Sequence, residues 1–151
     1  MGVTSAVRHV ELDPGHAWAL WTDLRRWPTF VEGFSQLVER SPDWPTSGAK
    51  VVLTSTPGGR GRVTEKVTIA EPAARFETNV FEDAMNGKQL ISFTRAEDGR
   101  TRVELRLDYE LANPSLFRAI ADVLFIRRAL NQALNRTLAR FATEAAEEAA
   151  L

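Results

Sequence analysis

Between Arg102 and Leu111 apolar and polar residues alternate without a break. Val103, Leu105, Leu107, Tyr109 and Leu111 fall on one side, and Arg102, Glu104, Arg106, Asp108 and Glu110 on the other. A period of two puts one set on a packed face and the other in water, so this stretch is predicted to be a half-buried strand. Weaker alternation predicts further strands at Val3 to Leu12, Phe34 to Glu39, Lys50 to Thr56, Arg62 to Ala70, Arg75 to Phe81 and Lys88 to Arg95. Turn signals separate them at Pro57-Gly58-Gly59, Glu71-Pro72, Asn86-Gly87 and Asp98-Gly99. The short connections favour an antiparallel meander of about seven strands.

The period changes to that of a helix at two places. Asp13 followed by Pro14 has the chemistry of an N-cap and first helical position, and Asn113-Pro114 repeats it ahead of a run that reaches the end of the chain. In that closing run Leu116, Ile120, Val123, Leu130, Leu134, Leu138, Phe141 and Ala145 fall on one stripe at 100° per residue. The long helix is therefore expected to lie across the concave face of the sheet. A sheet folded around one helix leaves room for a cavity, and cavities bind small molecules.

At 151 residues the chain is expected to form one domain, residues 1–151, with a core that needs no staples. The absence of cysteine excludes disulfides, thiolate zinc sites and a cysteine nucleophile, and suits a reducing cytoplasm. Two histidines, His9 and His16, do not make a histidine-rich metal site, and no carboxylate spacing suggests another, so no metal or cofactor is expected. A net charge of −1 with basic residues scattered along the chain gives no attraction for a phosphate backbone, and no nucleic-acid partner is expected. The longest apolar stretch, Ala119 to Ile126, is interrupted by Asp122 and is too short to span a bilayer. With no signal-peptide pattern at the start, a cytoplasmic protein without membrane insertion is expected.

Several side chains stand out against this background. Glu65 interrupts Val63, Val67 and Ile69 on one strand face. If that face is concave, Glu65 points into the cavity, where it is placed to pair with Arg127, bond a ligand hydroxyl, or act as a base with a raised pKa; a bulge would return it to water. Arg127 falls inside the apolar stripe of the long helix, where a guanidinium needs a carboxylate, backbone carbonyls, water or an anionic ligand, unless it snorkels out. Tyr109, the sole tyrosine, sits on the apolar face of the clearest strand, either as core or with its hydroxyl on a ligand. His9 lies on the face opposite Val10, with little to support a catalytic role. Trp18, Trp21, Trp27, Phe30 and Phe34 crowd one segment, mostly to close an end of the sheet, with Phe30 and Phe34 favoured as cavity liners. Trp44, between Pro42 and Pro45, is placed in a loop as a surface ring or part of a lid. The stretches Thr56 to Gly61 and Glu82 to Gly87 are expected to form the mouth, with Met85 as an adaptable contact.

The order and spacing of Val10 to Trp18, of Asp23 with Trp27-Pro28 and Phe30, of Gly48, of Gly61-Arg-Val-Thr-Glu65-Lys-Val67, of Gly99-Arg-Thr101-Arg-Val103 and of the closing helix resemble the START-like or SRPBCC superfamily, in particular its bacterial polyketide cyclase/dehydrase-like branch. The likeness spans nearly the whole chain. It implies an α+β helix-grip fold, a seven-stranded antiparallel sheet wrapped around the C-terminal helix with short helices after the first strand. The aromatic polyketide cyclases proper imply a polar aromatic after Trp-Pro and a basic residue beyond the Gly-Arg-Val stretch; the positions here read Phe34 and Ala70, against cyclase chemistry. The expected function is binding or carriage of a small hydrophobic ligand that is lipid-, isoprenoid- or polyketide-like. Its expected walls are Phe30, Phe34, Val67, Met85, Phe93, Leu105, Leu107, Tyr109 and Leu134, with Glu65 and Arg127 as polar anchors. The rival readings are a polyketide cyclase or dehydratase using Glu65, Tyr109 or Arg127, and a homodimeric interaction module using the mouth or an exposed Phe125.

Overall fold

The computed structural model describes residues 2–56, 60–112 and 120–151, and within them every side chain except those of 120–122. Seven strands form one sheet: β1 (Gly2–Val10), β2 (Phe34–Arg40), β3 (Lys50–Ser55), β4 (Arg62–Glu71), β5 (Arg75–Phe81), β6 (Met85–Arg95) and β7 (Thr101–Leu111). The spatial order is β1-β7-β6-β5-β4-β3-β2, and every pairing is antiparallel. The chain is thus a meander from β2 to β7, onto whose last strand β1 returns. Between β1 and β2 lie α1 (Pro14–Thr22), a 3₁₀ turn (Leu24–Arg26) and α2 (Trp27–Phe30); the closing helix α3 is described over Ile120–Ala149. This is the helix-grip arrangement, with short helices after β1 and a long C-terminal helix packed on the sheet.

Local chemistry explains the element boundaries. Asp13 caps α1 by accepting the His16 backbone N–H at 2.9 Å, and Pro14 stands where no intrahelical donor is needed. Asp23 accepts the Arg25 N–H at 3.1 Å and starts the 3₁₀ turn. In β7 the alternation is as read, with Val103, Leu105, Leu107 and Tyr109 buried. The Asn86-Gly87 signal is no turn: the chain reverses over residues 82–84, and Met85, Asn86 and Gly87 belong to β6. The glycine turn expected at 57–59, the Asn113-Pro114 helix start, Leu116 and the side chain of Ile120 lie outside the described residues.

A bulge between Val67 and Ile69 breaks the alternation of β4. Val67 pairs with buried Thr78, whereas Ile69 pairs with Glu77 on the outer face, so the expectation that Ile69 shares a face with Glu65 is corrected by one extra residue. The closing helix also departs from its stripe. Leu134, Leu138, Phe141 and Ala145 are buried, but Val123, Leu124 and Phe125 are exposed. Arg127 is exposed too, because it precedes the turns that pack on the sheet and its guanidinium stays in water, where it needs no buried partner.

Two clamps fix α3 over the inner face. Arg26 bonds Glu144 at 2.8 Å and Glu148 at 2.9 Å. Glu32, just after α2, receives Arg136 at 2.9 Å and Arg140 at 2.6 Å, while its backbone N–H donates to Thr137 Oγ1 at 3.0 Å. Burial pushes the Glu32 carboxyl up, but Arg140 and Arg136 outweigh it and hold it below the usual carboxylate range. At the sheet edge Asn131 donates to Thr4 Oγ1 and to the Ser5 carbonyl, both at 2.9 Å, tying α3 to β1.

Candidate functional site

Beneath α3 the inner face of the sheet leaves a cavity of about 250 Å³. Its walls come from elements far apart in the chain: Leu105 and Leu107 from β7, Met85 and Gln89 from β6, Leu130 and Leu134 from α3. The tryptophans Trp21 and Trp27 close one side. Trp27 is oriented by its indole N–H, which donates to the Trp21 carbonyl at 2.7 Å. Behind them Trp21 stacks on Phe30 with ring centres 5.4 Å apart, and Phe141 meets Phe30 edge-on at 5.2 Å. This wedge explains why a cavity persists: the large rings pack against one another at one end and leave the space beside them unfilled.

Glu65 is the one acid on the inner face of β4. It stands in register with Val51 and Val80 on the flanking strands and is only 4% exposed. Its Oε1 accepts the Thr78 hydroxyl at 2.9 Å. Burial drives its pKa up; Arg60 and the Thr78 bond pull it down and Glu82 adds to the rise, leaving it above the ordinary carboxylate value. Arg60 and Glu82 also line the cavity and bind each other, Nε to Oε2, at 2.7 Å, so the loop before β4 is joined to the loop before β6.

Of the residues singled out by sequence, the structure brings Glu65, Met85, Leu105, Leu107 and Leu134 to this cavity. Met85 is a buried wall of β6 and not part of a loop tip, because the turn lies ahead of it. Phe30 is fully buried in the ring cluster, and Phe34, half-buried at the start of β2, lies outside the lining; the tryptophans take the place expected of these two phenylalanines. Val67 and Phe93 are core, packed away from the space. Tyr109 is buried, but its ring leans over β1, so close that a Cβ on Gly2 would collide with Tyr109 Cζ. Arg127 is no partner of Glu65; with Arg128, Leu124 and Phe125 it lines a shallow surface groove. His9 is exposed on β1. Trp44 is neither lid nor surface ring, since it packs edge-on against Trp27 at 5.7 Å and donates to the Thr22 carbonyl at 2.9 Å.

Sequence reasoning put Arg60 and Glu82 in the two mouth stretches without pairing them, and Trp21 and Trp27 at the end of the sheet without making them cavity walls. The signal for the ion pair was weak, since twenty-two positions separate its members and only the strand register brings them together. Trp27 sits in a helix of a single turn, which has little periodicity to read, and Trp21 lies near the end of α1.

Among the described residues no group of histidine, cysteine, aspartate and glutamate is placed to hold a metal ion, and no helix is long and apolar enough to cross a membrane.

A family described as "Polyketide cyclase / dehydrase and lipid transport" matches residues 1–146. Among solved structures, a START superfamily protein from Mycobacterium smegmatis superposes with a TM-score of 0.75 at 13% identity, over 96% of this chain and 97% of that one. The di-domain ARO/CYC StfQ from the steffimycin biosynthetic pathway gives 0.76 at 17% identity, over 99% of this chain and 52% of its own. A protein from Chromobacterium violaceum gives 0.72 at 12%, over 96% and 98%. At these identities the likeness establishes the fold alone. None of the curated proteins matches the chain.

Proposed function

Because the chain belongs to the polyketide cyclase / dehydrase and lipid transport family, we propose that it binds and carries a small hydrophobic molecule, lipid-, isoprenoid- or polyketide-like, in the cavity beneath α3. Residues 1–151 act in this reading as one ligand-binding domain. The observation that supports it most is the cavity itself: about 250 Å³ walled by Met85, Leu105, Leu107, Leu130 and Leu134, with one buried acid at its side. Apolar walls supply affinity and a few polar groups set orientation. The test is to compare the native and denatured masses of the purified protein and identify what is released. An apolar compound held in the native state and lost on unfolding is expected; a native mass equal to the chain alone, even after incubation with hydrophobic extracts, counts against carriage.

A second reading, a cyclase or dehydratase acting on a poly-keto chain, is favoured by one feature. Glu65 is an acid whose burial lets it hold a proton to higher pH than an ordinary carboxylate, the direction that suits a proton-transfer residue. On that reading Glu65→Gln slows turnover of a poly-keto substrate by about 10²–10⁴-fold. Turnover at the full rate in this variant removes Glu65 from the chemistry.

A further inference from the structure

The carrier reading leaves open what kind of molecule the cavity prefers, and the surroundings of Glu65 narrow it. Its Oε1 already accepts a hydrogen bond from the Thr78 hydroxyl, while Oε2 has no hydrogen-bond partner among the described residues, and the side chain lines the cavity. The charged groups that act on it are Arg60, which favours its ionised form, and Glu82, which opposes it. Arg60 bonds Glu82, and Arg136 and Arg140 bond Glu32. The other elements facing Glu65 bring no titratable group: Val51 from β3, Val80 from β5, Met85 and Gln89 from β6, Leu105 and Leu107 from β7, and Leu130, Ala133, Leu134 and Thr137 from α3. Among the described residues that line the cavity, Arg60 is therefore the one cation against the carboxyls of Glu32, Glu65 and Glu82, and its Nε is already held by Glu82.

We infer that Glu65 meets the ligand as an uncharged acid, donating from Oε2, and so selects a neutral apolar molecule that presents a carbonyl oxygen, such as a ketone or quinone, toward β4. The inference rests on the carrier reading. Thr78 on Oε1 leaves Oε2 as the protonated oxygen, and a carbonyl completes the pair of bonds without burying a charge. A fatty-acid anion would meet the Glu65 and Glu82 carboxyls with only Arg60, already shared with Glu82, to offset it, and an amine would require Glu65 to ionise against its burial.

Two probes of nearly equal shape test this: 2-acetylnaphthalene and 2-ethylnaphthalene, titrated against the whole chain. The quantity read is the ratio of their affinities, in which differences in cavity packing largely cancel when variants are compared. Glu65→Leu is expected to lower the ketone-to-hydrocarbon ratio roughly tenfold, and Glu65→Gln, whose amide still donates, to keep it within about threefold. In the unaltered protein the ratio falls as pH rises and Glu65 loses its proton; in Glu65→Gln it stays flat. Binding of the hydrocarbon reports that each variant is folded, and if Glu65→Leu does not fold, the pH profiles of the other two proteins decide. A ratio unchanged by Glu65→Leu, or one that rises with pH, overturns the inference while hydrocarbon binding leaves the carrier reading intact. If the unaltered protein binds neither probe, the cavity is not a binding site, and both readings fall.

Discussion

A single carboxylate set among valines has consequences for stability as well as for recognition. Glu65 is 4% exposed, and burial raises its folded pKa above the value of 4.5 that the unfolded chain would show. The folded state therefore holds its proton to higher pH than the unfolded state does. The stability Glu65 contributes is complete below the unfolded pKa and is lost as pH rises through the folded one. Urea midpoints measured across that window should fall with pH in the unaltered protein, and Glu65→Gln should flatten that part of the profile. The opposite slope, with stability rising and Glu65→Gln removing the rise, would mean that Glu65 is held as an anion. Glu32 titrates the other way. Its arginine partners lower its pKa, so its contribution is present above 4.5 and is lost as pH falls through the folded value. The two effects lie on opposite sides of the ordinary carboxylate range, and a pH series separates them.

Helix α3 shows how one element divides between core and surface. Phe141 is 0% exposed and wedged against Trp21 and Phe30, whereas Phe125 is 72% exposed. Phe141→Ala should cost about 3–5 kcal/mol, the transfer and cavity terms of a buried ring. Phe125→Ala should stay within about 0.5 kcal/mol. Chemical denaturation of both variants checks the pair; equal losses would mean that Phe125 is covered in solution. The stripe read from sequence includes both buried positions and Val123, because periodicity reports which side of a helix a residue occupies and not where along its length the sheet stops. Strands were more legible for the same reason inverted. In β7 the alternation matches burial throughout, since each residue of a paired strand has a neighbour on both sides. The bulge after Val67 was not legible, since one extra residue leaves no composition signal. Glu65 could be found by its contrast with Val63 and Val67. Arg127 showed the same contrast but lies before the buried turns, so the desolvation argument that singled it out never applied.

At the scale of the molecule, the cavity's size and the means of closing it set limits on cargo. A volume of about 250 Å³ lies below the range of roughly 300–1,000 Å³ typical of sites for drug-sized ligands. Its boundary is stiff on several sides. The Trp21, Phe30 and Phe141 rings interlock, Arg26 and Glu32 clamp the short helices to α3, and the Arg60–Glu82 pair joins the loops before β4 and β6. Enlarging the space means separating packed rings or breaking ion pairs, whereas filling it gains roughly 25 cal/mol for each Å² of apolar surface removed from water. Affinity should therefore climb with ring count in a series of linear fused aromatic hydrocarbons while each member still fits, and then drop once another ring demands that the walls part. The break is expected between two and four rings. Quenching of Trp21 and Trp27, which line the cavity, provides the titration signal, with Trp21→Phe and Trp27→Phe to assign it. A four-ring compound that binds more tightly than naphthalene would show that the clamps yield, and that the cavity of about 250 Å³ is the smaller of two states the protein adopts.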